Sequence, residues 1–249
     1  MTSLLDKLDA LRARLETVRP LSQAAMEKIR SALAIEYTYE SNRIEGSTLT
    51  LQETQLVVQE GLTIGGKTMR EHLEAINHNE AVGFIEAVAK DNVEVTESVI
   101  KQIHALILRG IDRENAGTYR AVPVLIAGSR HTPPQPYLVP KLMEEFIFTF
   151  REKEHAGEHP VLIAAYLHDE LVRIHPFIDG NGRTARLLMN LYFLRSGYII
   201  ANLRGDTDSR MAYYKALEQS HCDGNPLPFQ RFVACREIEA MERYQSLLQ

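Results

Sequence analysis

The sequence predicts an all-α fold with a small β-hairpin flap. Apolar residues recur at helical spacing along almost the whole chain, and only one short stretch has the composition of a β-strand. The 249 residues are enough to bury a sizeable core, whether in one large domain or in two modest ones. No internal repeat or low-complexity tract divides the sequence. We therefore expect a single helical domain with an N-terminal helical extension.

The first sixty residues are predicted to form three helices. Leucines recur at helical spacing from Leu4 to Leu15, and a second apolar series runs from Leu21 to Ala34. Charged residues occur every few positions at the N-terminus, which has neither a signal-peptide apolar region nor a membrane span. The sequence therefore predicts a cytoplasmic protein that does not associate with membranes.

The remainder of the chain is predicted to be helical with one interruption. A long helix covers residues 68–90, and Thr96 caps a following helix that ends near Gly110. The stretch AVPVLIA, residues 121–127, reads as a strand and is followed by the helix-averse HTPPQP, which predicts a hairpin or an extended flap. Further helices are predicted over residues 140–154, 160–174, 182–196, 208–221 and 227–247.

Composition excludes some classes of partner. The net charge of −5 and the pI near 6.0 argue against nucleic acid, because phosphate-backbone binding leaves a basic surface. The two cysteines, Cys222 and Cys235, have no metal-ligand spacing, and we expect reduced thiols. GLTIGGKT, residues 61–68, matches the P-loop pattern, but that motif works only between a buried strand and a helix. We interpret it as a glycine-rich loop between two helices.

The stretch HPFIDGNGRTARLL begins between two predicted helices. The upstream helix ends at His175, because the proline that follows disfavours a helical conformation there. Gly180, Asn181 and Gly182 begin the downstream helix, where successive backbone N–H groups and the helix dipole favour an anion. This segment is therefore a candidate phosphate-binding loop.

Charged side chains extend this candidate site. Arg183 and Arg186 lie about one turn apart on one helix face, so their guanidinium groups can bind neighbouring phosphates. Asp179 is an oxygen ligand suited to Mg²⁺, and His175 can accept a proton from an attacking hydroxyl. Each residue alone has an ordinary structural explanation, but together they predict a polyphosphate site with a general base.

The same stretch resembles the signature of the Fic family, H-x-F-x-[DE]-G-N-G-R-x-x-R. The resemblance extends over residues 68–222 and includes a Gly-x-Tyr-Arg segment at 117–120 and the strand-like flap. It implies a Fic-type helical core at 67–222, N-terminal helices with an inhibitory helix at 1–66, and a C-terminal helix packed on the core at 223–249. Every specified motif position is present: His175, Phe177, Asp179, Gly180, Asn181, Gly182, Arg183 and Arg186.

The resemblance implies a protein adenylyltransferase, which transfers AMP from ATP to a Ser, Thr or Tyr hydroxyl of a protein and releases pyrophosphate. By resemblance, His175 deprotonates the hydroxyl, Asp179 holds Mg²⁺ and Phe177 anchors the loop. A homodimer through the core helices is also implied. The resemblance assigns contacts with the ATP phosphates to Gly180, Asn181, Gly182, Arg183 and Arg186.

Target and nucleoside positions also follow from the resemblance. An extended edge can pair with a target backbone as an added strand, at Val124, Leu125, Ile126 and Ala127. Tyr213, Tyr214 and His221 lie on the helix that lines the adenine pocket in related proteins, although an ordinary aromatic packing stripe is an equal alternative.

The segment SNRIEG, from Ser41 to Gly46, resembles the family's inhibitory motif, [ST]-x-x-x-E-[GN]. The resemblance implies that Glu45 pairs with Arg186 and prevents ATP from binding productively. An exposed glutamate at a helix end is the alternative, and the position N-terminal to the core favours the inhibitory role. Self-AMPylation, and reversal by a water molecule that this glutamate positions, are further activities that relatives suggest.

Two other functions remain open from the residues alone. His168 and Asp169, with His175 and Asp179, fit a metal-dependent phosphohydrolase of the HD kind, although both arginines then have no role. A catalytically silent helical interaction module is the second, although the complete motif argues against it. Transfer of another nucleotide or of phosphocholine is also open.

Overall fold

The computed structural model describes residues 1–17 and 23–248, which contain ten α-helices and one short 3-10 helix, Pro136–Leu138. Every predicted helix is present, with ends displaced by a few residues at most. Leu21, where the second apolar series begins, lies outside the described residues. The helices are α1 (Thr2–Thr17), α2 (Gln23–Ile44), α3 (Leu51–Glu60), α4 (Met69–Lys90), α5 (Glu97–Ile107), α6 (Val139–His155), α7 (Pro160–Ile174), α8 (Asn181–Arg195), α9 (Thr207–Asp223) and α10 (Leu227–Leu247).

The predicted β-hairpin is wrong, since the structure forms no strand among the residues it describes. Residues 121–127 are irregular, although their composition is that of a strand. A strand is stabilised by hydrogen bonds to a second strand, and the prolines at 123, 133, 134 and 136 have no N–H to donate. Residues 121–135, which we call the flap, therefore cross the surface without forming a sheet.

Helices α7 and α8 form the centre of the molecule. They pack side by side, and α4, α5, α6 and α10 surround them. Helix α8 is buried on nearly all sides from Asn181 to Phe193, as expected for a helix in the middle of a core. Because its first turn is polar and its later turns are apolar, only its N-terminal end is suited to bind a charged ligand.

The N-terminal helices pack on this core. Helix α1 contacts α10, and α2 contacts α4 and brings its C-terminal end to α8. Residues 61–68 are the predicted loop between two helices and follow no strand, which excludes a P-loop. Thr50 and Thr68 cap α3 and α4 with reciprocal bonds to a glutamate three residues later, and these capped turns hold the chain that follows α2 in place.

Cys222 and Cys235 are both free thiols. Within residues 1–17 and 23–248, none of the helices has the length and the apolar character of a membrane span. The division of the chain at residues 66 and 222 remains a prediction.

Candidate active site

The loop between α7 and α8 reverses the chain with two left-handed residues. His175 ends α7 with a φ of 52°, and Gly180 precedes α8 with a φ of 75°. A Cβ at Gly180 would lie 3.2 Å from Cγ2 of Ile107 and 3.4 Å from Cδ2 of His104. Both the backbone conformation and the close packing therefore require glycine at this position.

The side chain of Asn181 forms hydrogen bonds with the backbone of the loop. Its Oδ1 accepts a hydrogen bond from the Phe177 N–H, and its Nδ2 donates to the Phe177 carbonyl, each at 2.9 Å. Phe177 is fully buried, so both of its backbone groups depend on this amide. The side chain of Asn181 thus shapes the loop, and its role in phosphate binding remains a prediction.

His175 has the protonation state of a general base. Burial lowers the pKa of His175 to about 4, and a bond to the Val172 carbonyl opposes that effect. The ring is therefore neutral at pH 7. Because a carbonyl only accepts, Nδ1 carries the hydrogen in its 3.3 Å contact with Val172, which leaves the lone pair on Nε2.

The N-terminus of α8 has the geometry of an anion site. The first helical hydrogen bond runs from the Thr184 N–H to the Gly180 carbonyl, so the N–H groups of Asn181, Gly182 and Arg183 precede the helical ladder. The carboxylate of Glu45 lies against this end of the helix. A Cβ at Gly182 would be 2.5 Å from Oε1 of Glu45, so the carboxylate occupies a position suited to a phosphate.

Glu45 and Ser41 hold Arg186 from α2. Nη2 of Arg186 lies 2.7 Å from Oε1 of Glu45 and 2.9 Å from the Ser41 carbonyl, and Nε donates to Oγ of Ser41 at 2.9 Å. Arg186 is only 1% exposed. Burial lowers the pKa of Arg186, but the Glu45 carboxylate, together with Tyr213 and Tyr37, outweighs burial and raises it. The structure thus brings together the two residues that the inhibitory motif predicts to pair.

A second network surrounds Arg183 and Asp179. Arg183 approaches Glu74 at 3.1 Å and Asp179 at 3.4 Å, while Arg70 bonds to both of those carboxylates. Burial would raise the pKa of Asp179, but Arg183, the Gly180 N–H and Arg70 outweigh burial and lower it. Asp179 is therefore ionised. Arg70 and Glu74 were not identified from the sequence, where they appear as an ordinary i,i+4 pair on α4.

Asp179 also fits the Mg²⁺ ion that the resemblance implies. The described residues contain no cluster of three His, Cys, Asp or Glu side chains that could form a metal centre. Mg²⁺, however, is commonly held by one or two carboxylates together with substrate phosphates. An ionised, partly exposed carboxylate next to a helix N-terminus suited to an anion meets that requirement.

The three residues predicted for the adenine pocket lie in different surroundings. Tyr214 is partly exposed, and its hydroxyl donates to the Ile44 carbonyl at the end of α2, close to Glu45. Nε2 of His221 lies 2.9 Å from Oδ1 of Asp169. Tyr213 is buried among aromatic side chains, which matches the packing alternative for that residue. Roles of Tyr214 and His221 in adenine binding remain predictions.

The HD pair does not form a metal site. His168 is fully buried and bonds to the Tyr213 hydroxyl through Nε2 at 3.0 Å. Asp169 instead contacts His221 and Ser220. The two neighbouring side chains therefore have different partners, which disfavours the phosphohydrolase interpretation.

His104 on α5 is a site residue that sequence reasoning missed. Its Nδ1 accepts from the Gly117 N–H and its Nε2–H donates to the Asp179 carbonyl, each at 2.9 Å. Its ring stacks on Phe177 with centroids 3.6 Å apart. The available signal was a histidine on the apolar face of an amphipathic helix. His104 thus fixes the backbone that carries Asp179.

Fold and site together define a helical protein in which the loop of a central helical hairpin leads from a neutral histidine to a helix N-terminus suited to an anion. The family model described as Fic/DOC matches residues 94–193, which run from the start of α5 into α8. The structure is similar to that of a segment of Fic-1 from C. elegans, with a TM-score of 0.88, 30% identity, and coverage of 98% of this chain and 72% of that one. The chain belongs to the Fic/DOC family.

Further relatives match nearly the whole chain. A Fic-domain signaling protein from Bacteroides thetaiotaomicron has a TM-score of 0.89 and 28% identity, with 97% of this chain and 96% of that chain covered. The protein adenylyltransferase Fic of Nematostella vectensis is 36% identical over 94% of this chain and 54% of its own length. That of Drosophila persimilis is 35% identical over 94% and 45%, so this chain spans about half the length of these relatives.

Proposed function

We propose that the chain is a protein adenylyltransferase, a nucleotidyltransferase that moves AMP from ATP to a Ser, Thr or Tyr hydroxyl of a protein, held in an inhibited state. One observation carries the proposal. The Glu45 carboxylate lies against the N-terminus of α8 and pairs with Arg186, at the helix that follows the loop with a neutral His175. Relatives that match most of this chain are named protein adenylyltransferase, which supports the same activity.

In the proposed reaction the hydroxyl oxygen forms a bond to the α-phosphorus, and Nε2 of His175 takes the hydroxyl proton. The bond from the α-phosphorus to the oxygen that bridges to the β-phosphate breaks, and pyrophosphate leaves with that electron pair. Arg183, Arg186 and the α8 N–H groups stabilise the charge on the leaving phosphates. Asp179 would hold Mg²⁺, which neutralises phosphate charge when bound.

Glu45 inhibits this reaction in the proposal for two reasons. Its carboxylate occupies the position that a phosphate needs, and it pairs with the guanidinium that would bind that phosphate. Helix α2 ends at Ile44 and Gly46 has a φ of 99°, so Glu45 lies in the turn that ends the helix and its carboxylate projects from that end. Ser41 accepts from Nε and Nη2 of the same guanidinium. Removing the carboxylate is expected to free Arg186 while Ser41 keeps it in position.

The remaining assignments belong to the same proposal. Tyr214 and His221 contact the nucleoside, and the flap at residues 124–127 docks an extended segment of the acceptor protein. Self-AMPylation, removal of AMP by water, a homodimer and a cytoplasmic location complete the hypothesis.

The experiment compares wild type, Glu45→Gly and Glu45→Gly/His175→Ala, incubated with Mg²⁺ and ATP labelled at the α-phosphate. Label on the protein and on added lysate proteins is expected to increase with Glu45→Gly. Label is expected to fall by about 10²-fold or more when His175 is also replaced, as for loss of a general base.

Two controls isolate the carboxylate. Glu45→Gln removes the charge at nearly constant shape, and Glu36→Gly places a glycine elsewhere in α2, where Glu36 bonds to Arg243. Activation by Glu45→Gln but not by Glu36→Gly supports the proposed inhibition. Unchanged or lower labelling in folded Glu45→Gly contradicts it, and label that persists without His175 contradicts the general base.

A further inference from the structure

Arg120, the last residue of the Gly-x-Tyr-Arg segment, is a buried cation without a counter-ion. Its side chain is 3% exposed, and no Asp or Glu in the described part of the chain forms an ion pair with it. Burial lowers the pKa of Arg120. Because a buried unpaired charge is costly, stability alone does not explain an arginine at this position.

The guanidinium group donates to three backbone carbonyls. Nε bonds to the carbonyl of His175 at 2.8 Å, Nη1 to that of Val122 at 3.1 Å and Nη2 to that of Pro134 at 2.5 Å. Val122 lies near the start of the flap and Pro134 near its end. A single side chain therefore joins both ends of the flap to the residue that carries the general base.

A backbone bond reinforces this junction. The Arg120 N–H donates to the Pro176 carbonyl at 2.9 Å, so residues 120 and 175–176 are connected through both main chain and side chain. The planar guanidinium has donors at fixed angles, which sets the relative positions of the three carbonyls. A lysine ammonium at this position has no such geometry.

The phosphate side of the loop is held independently of Arg120. Arg186 is positioned by Ser41 and Glu45, and Arg183 by Glu74 and Asp179. Loss of Arg120 should therefore disturb the acceptor side of the site and leave the nucleotide side intact.

We propose that Arg120 is a positioning residue that holds the acceptor-docking flap in register with Nε2 of His175. This inference rests on the proposed function, since it assumes that the flap docks the acceptor. General-base catalysis requires the hydroxyl within hydrogen-bond distance of the base, and a flap that moves relative to His175 loses that alignment.

The test uses the full chain with Glu45→Gly as parent, together with Arg120→Gln, Arg120→Lys and Arg130→Gln. Arg130 is the matched control, because it holds the flap from outside through Glu218 and Asp223. Three quantities are measured: hydrogen exchange of flap amides, ATP affinity by calorimetry, and the titration of His175 by NMR of labelled imidazoles.

Arg120→Gln should make flap amides exchange about tenfold faster or more, because bonds to a charged donor are worth at least that factor. ATP affinity should not change. The pKa of His175 should rise toward its ordinary value, since burial, Arg120 and His131 hold it down and Glu45, absent in the parent, opposes them. Arg120→Lys should keep the low pKa of His175 and still loosen the flap. Arg130→Gln should leave His175 unchanged.

Flap exchange at the parent rate in Arg120→Gln overturns the proposal, as does an equal effect of Arg120→Gln and Arg130→Gln on His175. If Arg120→Gln does not fold, Arg120→Lys decides, and parent-like flap exchange in that variant overturns the proposal. Absence of ATP binding by the parent contradicts the proposed function instead, while flap exchange and the His175 titration still test Arg120.

Discussion

The loop between α7 and α8, at residues 175–181, and the flap are both irregular segments, yet they are stabilised in different ways. Within the loop, Asn181 satisfies both backbone groups of Phe177, and His104 bonds to the Asp179 carbonyl from the adjacent core. The flap is held near its ends by Arg120 and internally through Arg130, and it exposes apolar side chains near its start, of which Leu125 is 85% exposed. This difference agrees with the proposed function, in which the loop binds phosphate and must be formed before its ligand arrives, whereas the flap docks a protein and gains partners on binding.

The largest loss of stability is expected when the hydrogen bonds between the Asn181 side chain and the Phe177 backbone are removed. Asn181→Leu keeps the shape of the side chain but leaves the N–H and carbonyl of Phe177 without partners. The free energy of unfolding should fall by about 2–5 kcal/mol, since each unsatisfied buried group costs about 1–3 kcal/mol. Urea unfolding measures the change, and labelling in the Glu45→Gly parent should be lost.

Asn181→Asp is the matched control for that change. Its carboxylate can still accept from the Phe177 N–H but cannot donate to the Phe177 carbonyl. At low pH a protonated carboxyl can donate. There we expect the free energy of unfolding of Asn181→Asp to lie between that of wild type and that of Asn181→Leu. Equal stability of Asn181→Leu and wild type would show that the loop does not depend on this amide.

A smaller effect is expected at His104, where the two ring nitrogens can be tested separately. Gln has its amide nitrogen near the position of Nε2 and can keep the bond to Asp179, while Asn has its oxygen near Nδ1 and can keep the bond to Gly117. Phe keeps only the stack on Phe177. We expect His104→Phe to lose about 1–3 kcal/mol of stability through unpaired backbone groups.

The Mg²⁺ concentration for half-maximal labelling separates positioning from stability. With Glu45→Gly as parent, His104→Gln should stay close to the parent, because the backbone of Asp179 remains held. His104→Asn should require more Mg²⁺. If the Mg²⁺ concentration for half-maximal labelling changes in both variants only in proportion to their loss of stability, His104 has no positioning role.

The smallest effect on the fold is expected in the flap. Leu125→Lys replaces an exposed apolar residue, so the free energy of unfolding should change by no more than about 0.5 kcal/mol. Labelling of added proteins should fall while ATP affinity is retained, because only docking is affected. Phe148→Lys, at an exposed apolar position on α6, is the control and should not alter labelling.

The sequence predictions were correct where the interactions are local in sequence and failed where they join distant segments. The helices were predicted because apolar spacing and caps such as Thr68 and Thr96 act within a few residues. The prediction of a strand at residues 121–127 was wrong because it rested on the composition of that segment alone, whereas a strand also needs a second strand to pair with. His104 and Arg120 were not recognised as parts of the site because nothing in their own segments indicates what they contact.

The sequence by itself determined the helices, the turn at Gly180 and the identity of the loop residues, since these depend on spacing and on backbone conformations that few residues adopt. Only the tertiary structure decided the partners of the buried charges. Arg186 meets Glu45 across 141 positions of sequence, and Arg120 meets His175 across 55. Such contacts depend on how the helices pack together, because the direction of a side chain alone does not identify the group that it will reach.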